Sequence, residues 1–255
     1  MHVVELEYSI EQAVRDAVQR HFPLDWKEDP ITHDLLIRLR DVLRQVTLHD
    51  LRTPLLLECE IYKLHGRREA TYGDIGLLVR YTLPAGGSVE GAGFLEAKVR
   101  GRDTTKFPQV RHEQVARLLA RSPQTRLLLY DYNAVSVLCP ADVDRTWDVF
   151  PHHYRYAASR ASVSHAPVLP LQLAATINQY DDTLYRFAHA FSFQLVWRYL
   201  QLHDLDFGEA AVEAVKGFPG ELGSPNHVLI IRGAPLGQEL PEEFVPNSNL
   251  YTRLE

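Results

Sequence analysis

Three apolar runs of strand length lie close together in the first half of the chain: Leu55–Lys63, Tyr72–Tyr81 and Ala92–Arg100. The segments between them, 64–70 and Pro84–Ser88, read as a polar turn and a loop. Successive side chains in such runs point to opposite faces, and this much apolar surface needs cover on at least one of them. A chain with this feature has to build a sheet and then shelter it.

The flanking segments supply the shelter. Ser9-Ile-Glu-Gln12 fits a capping box ahead of Ile10, Val14 and Val18, which predicts a helix over 10–21. Asp29-Pro30 reads as an N-cap followed by proline in the first turn. Behind it the stripe Leu35, Leu39, Val42, Leu43 and Val46 predicts a second helix over 30–47. After the three strands, 110–121 has helical spacing, and strands over 126–131 and 134–139 follow, joined by a tight Tyr132-Asn133 turn. The order predicts an α/β chain with a mixed sheet (α+β in that its strands and helices are partly segregated) and helices against it. Residues 141–167 read as irregular. A long helical stretch over 170–202, in two pieces around Asp181-Asp182, would bury Leu184, Phe187, Phe191 and Leu195 on one face. A short helix over 209–216 ends at Gly217, and a last strand covers His227–Arg232. Residues 1–140 would then form the core with its N-terminal helix. Residues 141–255 would form a mostly helical accessory region or complete the same globule.

Two of the strands carry an unusual polar face. With Ile75, Leu77, Val79 and Tyr81 on one side of the second run, Asp74 falls on the other; with Leu95, Ala97 and Val99 together, Glu96 and Lys98 project oppositely. If these strands are neighbours, two carboxylates and an ammonium converge. Two carboxylates about 4 Å apart repel by roughly 4 kcal/mol at an effective dielectric of 20, and a hard divalent cation such as magnesium relieves this. Such an ion could polarise a phosphate and acidify a bound water, with Lys98 beside it to orient or deprotonate that water.

Charge supports a phosphate substrate. The chain is −6 overall, yet residues 63–126 hold 12 basic and 6 acidic side chains. Lys63, Arg67, Arg68, Arg100, Arg102, Lys106, Arg111 and Arg117 surround the proposed site in sequence, and such residues give backbone affinity for nucleic acid. For any single arginine among them a solvated surface is the simpler reading.

The pattern Tyr-Gly-Asp74-Ile-Gly, then Leu-Glu96-Ala-Lys98, resembles the signature of the PD-(D/E)XK nuclease superfamily, over about residues 28–140. The resemblance implies a restriction-endonuclease-like αβββαβ core, Asp74 and Glu96 as metal ligands, the Ala97 carbonyl as a further ligand and Lys98 as the catalytic lysine. It implies Mg2+, or Mn2+ in its stead, and hydrolysis of DNA, with RNA a lesser alternative, in a setting such as bacterial restriction or anti-phage defence. The motif's proline is absent, with Gly73 in its position. An extra acid from the first core helix would be Glu28, with Asp34 and Glu58 as rivals. A helical glutamine would be Gln114 rather than Gln109.

Other features are weaker. Adjacent His152 and His153 point apart and fit no zinc spacing. Tyr154, Tyr156, Tyr180 and Tyr185 could stack on bases but at helical spacing read as core, as do Phe187, Phe191 and Trp197. Cys59 and Cys139 make no disulfide framework, and Cys59 reads as a small buried hydrophobe. No phosphate-binding loop, dinucleotide fingerprint or serine elbow is present. No apolar window reaches the roughly 18 residues of a membrane span and the N-terminus is acidic, so a cytoplasmic chain is expected. The apolar stripe over 170–202 suggests a homodimer or a protein partner. From another class, the same fold could serve as a non-catalytic nucleic-acid- or partner-binding subunit of a larger complex.

Overall fold

A computed structural model of the chain describes residues 1–51, 53–65, 73–137, 163–218 and 223–254. Arg67, Arg68, Cys139, His152, His153, Tyr154 and Tyr156 lie outside these. Two helices open the chain: α1 (Val3–His21) and α2 (Glu28–Leu43). The first starts earlier than its capping-box reading. The Glu5 carboxylate accepts from the His2 N–H at 2.8 Å, and Asp50 accepts from the Val3 N–H at 3.0 Å, so the end is capped at residue 2. Ser9 sits mid-helix, its hydroxyl donating back to the Glu5 carbonyl. Val3, Leu6, Ile10, Val14, Ala17 and Val18 form the buried stripe, which packs against Ile31, Leu35, Leu36 and Leu39 of α2. Each leucine buried this way contributes about 2 kcal/mol. The α2 helix stops short of 47 because Gln45 turns at φ 55° and Val46–Leu48 (β1) pairs with the next strand.

The strands β2 (Leu55–Leu64), β3 (Ile75–Thr82) and β4 (Ser88–Val99) match the three apolar runs. Then come α3 (His112–Arg121), β5 (Arg126–Tyr130), β6 (Val135–Ser136), β7 (Val163–Ser164) and β8 (Pro167–Pro170). The chain ends with β9 (His189–Ala190), β10 (His227–Pro235) and β11 (Tyr251–Arg253). Nine of these form one mixed sheet in the order β1-β2-β10-β3-β4-β5-β8-β9, with β11 also on β2. The last long strand therefore does not lie at an edge. It inserts between β2, antiparallel, and β3, parallel. The described residues after 163 share the sheet of the first half. Central strands β3 and β10 are buried on both faces. One face carries Ile75, Leu77, Val79, Leu229 and Ile231 into the main core with α1 and α2; the other packs Leu78, Phe94, Val228 and Ile230 on the helix Glu209–Val215.

Two expected elements fold otherwise. The 134–139 strand does not pair with β5, whose edges are already taken by β4 and β8; its described part, β6, pairs with β7 in a separate two-stranded sheet. The 170–202 stretch is not one broken helix. The helix Leu171–Ile177 ends at Asn178, whose φ is 52°, and Asp181 caps a 3-10 turn, Asp182–Phe187, by accepting from the Thr183 N–H. After β9, a helix over 191–201 passes through a π turn, Gln194–Arg198. Its apolar stripe is consumed inside the chain: Leu184, Phe191 and Leu195 are buried, and Trp197 donates to Glu7, whereas Phe187 is 42% exposed rather than core. Among the described residues no helix is long and apolar enough to cross a membrane.

Candidate active site

The register of β3 and β4 brings the polar face together. Ile75 pairs with Leu95, the Asp74 N–H donates to the Leu95 carbonyl at 2.9 Å, and so Asp74 stands across from Glu96. The Asp74 Oδ2 accepts from the Ala97 N–H at 2.8 Å. Before it, Gly73 takes a φ of +85°, and a Cβ there would stand 2.7 Å from the Leu95 carbonyl oxygen. Proline, locked near −65°, cannot adopt this turn.

On β4, Lys98 Nζ donates to Glu96 Oε1 and to the Ala97 carbonyl, both at 2.7 Å. The Gln114 amide, on α3, donates to the same Glu96 oxygen at 2.8 Å. Glu28, at the start of α2, brings Oε2 to 3.5 Å from Lys98. Its rivals are engaged elsewhere: Asp34 with Arg38, Glu58 with Arg232. Gln109 bonds Asn178 instead. The group opens into a cleft of about 560 Å3 that Arg111, Glu113, Arg117 and Asn226 also line.

Other members of the basic block stand differently. Arg102, Lys106, Arg111 and Arg117 are exposed. Lys63 is paired with Asp29 at 2.9 Å. Arg100 is engaged within the chain: its guanidinium bonds the buried Asp131 at 2.8 Å and the Thr104 carbonyl, and Tyr185 also donates to Asp131. Asn226 is the residue that sequence reasoning missed. It lies 152 positions from Asp74, and only the insertion of β10 beside β3 brings them together.

Three carboxylates share one ammonium here. Burial, then the Asp74 charge, push Glu96 up to about 7 against the pull of Lys98. Burial likewise raises Asp74 and Glu28. Burial works against the Lys98 ammonium, but Glu96, Glu28 and Asp74 outweigh it and lift its pKa above the usual lysine value. The cluster therefore favours bound positive charge.

The donor set fits magnesium. Carboxylate oxygens of Asp74 and Glu96 and the Ala97 carbonyl are hard ligands, and Glu96 Oε2 accepts no hydrogen bond among the described residues. Among those residues no three His, Cys, Asp or Glu side chains come together as a metal-binding group. No protein-family model matches the sequence, and comparison with the curated proteins and with the solved structures gave no match.

Proposed function

We propose that the protein is a magnesium-dependent phosphodiesterase that cleaves the DNA backbone by attack of a metal-activated water, on a restriction-endonuclease-like core. The observation that supports this reading is the meeting of Asp74, Glu96 and Lys98 at one cleft, with Gln114 on Glu96 and Glu28 on Lys98. Asp74, Glu96 and the Ala97 carbonyl would hold the ion, with Glu28 as the further acid. A bound divalent cation supplies a Lewis acid for the phosphoryl oxygen and a water of lowered pKa.

The chain's own residues do the rest. Lys98, hydrogen-bonded to Glu96 and the Ala97 carbonyl, orients the water and stabilises charge that builds on the phosphoryl oxygens. Gln114 fixes the carboxylate of Glu96. Arg111 and Arg117 at the rim hold the flanking phosphates, with exposed Lys106 and Arg102 nearby in the chain. By analogy alone, a nuclease of this kind suits bacterial restriction or anti-phage defence.

Supercoiled plasmid tests the reading. Wild type should nick or linearise it with Mg2+ and not with EDTA, and Lys98→Ala should cut at least about 100-fold more slowly. Equal cleavage by both proteins would remove the mechanism. One observation favours the rival, a non-catalytic binding subunit: both Asp74 oxygens already accept hydrogen bonds. Calorimetry separates the two, because a scaffold should bind no Mg2+ at this cleft.

A further inference from the structure

Asp74 is gripped from two sides. Its Oδ2 accepts from the Ala97 N–H at 2.8 Å and its Oδ1 from the Asn226 amide at 3.2 Å. Asn226 is itself anchored by main chain. Its carbonyl accepts from the Leu64 N–H at 2.8 Å, and the next N–H, of His227, donates to the Asp74 carbonyl at 2.9 Å. β10 begins there, wedged between β2 and β3. The backbone bonds would survive a change of side chain at 226, so the amide can be removed without dismantling the strand.

Each carboxylate oxygen has two lone-pair directions. One bond on each oxygen of Asp74 stops the group rotating about its last torsion and leaves one direction on each oxygen open. Asn226 lines the same cleft as Glu96 and Lys98. A carboxamide does this without adding charge, whereas a lysine here would compete with a cation and an aspartate would repel Asp74.

We infer that Asn226 is a positioning residue that orients Asp74 for the cation. The inference rests on the metal-dependent nuclease reading above. The sheet's last long strand is thereby part of the catalytic centre, although it comes from the far end of the sequence.

The test compares wild type, Asn226→Ala, Asn226→Leu and Lys98→Ala, each as the full chain. Mg2+ affinity is read by calorimetry, and the Mg2+ concentration for half-maximal plasmid cleavage is read alongside. Affinity should fall, and the half-maximal concentration rise, about tenfold or more in Asn226→Ala and Asn226→Leu, as for other residues that orient a metal ligand. The rate at saturating Mg2+ should fall less than the affinity. Asn226→Leu nearly keeps the shape of the side chain, removes the donor without adding charge, and decides the matter if Asn226→Ala does not fold. Unchanged Mg2+ affinity in a folded Asn226 variant, with Lys98→Ala still inactive, would overturn the inference alone. A wild type that neither binds Mg2+ nor cuts would overturn the reading beneath it.

Discussion

Replacing Glu96 with glutamine should stabilise the metal-free protein at alkaline pH, and the size of the gain follows from the cleft. The Glu96 side chain is 4% exposed and shares its pocket with Asp74. Folding lifts its pKa from 4.5 to about 7. A carboxyl raised in this way favours the protonated form in the folded state. Its stabilising contribution is therefore complete below about 4.5 and is lost as pH climbs through 7. At about 1.36 kcal/mol per pH unit the ionised side chain costs about 3 kcal/mol above that window. Glutamine removes the charge but weakens the bond to Lys98, taking back about 1 kcal/mol. The net gain of about 2 kcal/mol should raise the melting temperature by roughly 4–8 °C for a chain of this length. Thermal unfolding in EDTA checks this across pH. Glu96→Gln should melt above wild type near pH 8.5, and the difference should shrink to nothing or reverse near pH 4.5. Added Mg2+ at the higher pH should raise wild type and not the variant. A difference that does not change with pH would refute the argument that trapped negative charge dominates this cleft.

Two other perturbations probe the site from its edges. Gly73→Ala puts a Cβ 2.7 Å from the Leu95 carbonyl oxygen at a φ of +85°; it should cost about 1–3 kcal/mol in denaturant titration and abolish cleavage by displacing Asp74. Arg111→Ala and Arg117→Ala should each weaken binding to DNA of any sequence and lower the slope of log affinity against log salt by about 1, without altering Mg2+ affinity.

The sequence carried the strands of the site in readable form and hid most of what completes it. Asp74, Glu96 and Lys98 were legible because each lies in or against an apolar run, where period two assigns a face unambiguously. The antiparallel pairing of β3 and β4 then turns shared faces into contact. Glu28 and Gln114 could be named only among rivals, since which turn of a helix reaches a strand depends on packing that no local pattern encodes. The second half misled for a physical reason. Leu184, Phe191 and Leu195 have helical spacing, but Asn178 at φ 52°, the Asp181 cap and the pairing of β9 with β8 cut the stretch into short pieces. Tertiary pairing overrode a periodicity that was there. The pairing of Arg100 with the buried Asp131 had no local signal either.

The two features least visible in the local sequence turn out to act on the same side chain. Gly73 turns the chain so that Asp74 can receive the Ala97 N–H, a geometry that proline forbids. Asn226 reaches the other oxygen only because β10 lies parallel to β3 and begins level with it, His227 against Ile75. An aspartate set behind a positive-φ glycine, and bonded by a β4 amide and by the side chain just before the last long strand, has both oxygens held in direction. That rigidity is costly in a pocket with three carboxylates and one ammonium, because a mobile aspartate would swing out into water. A structure that instead pins the charge in place makes sense if a cation is meant to meet it there.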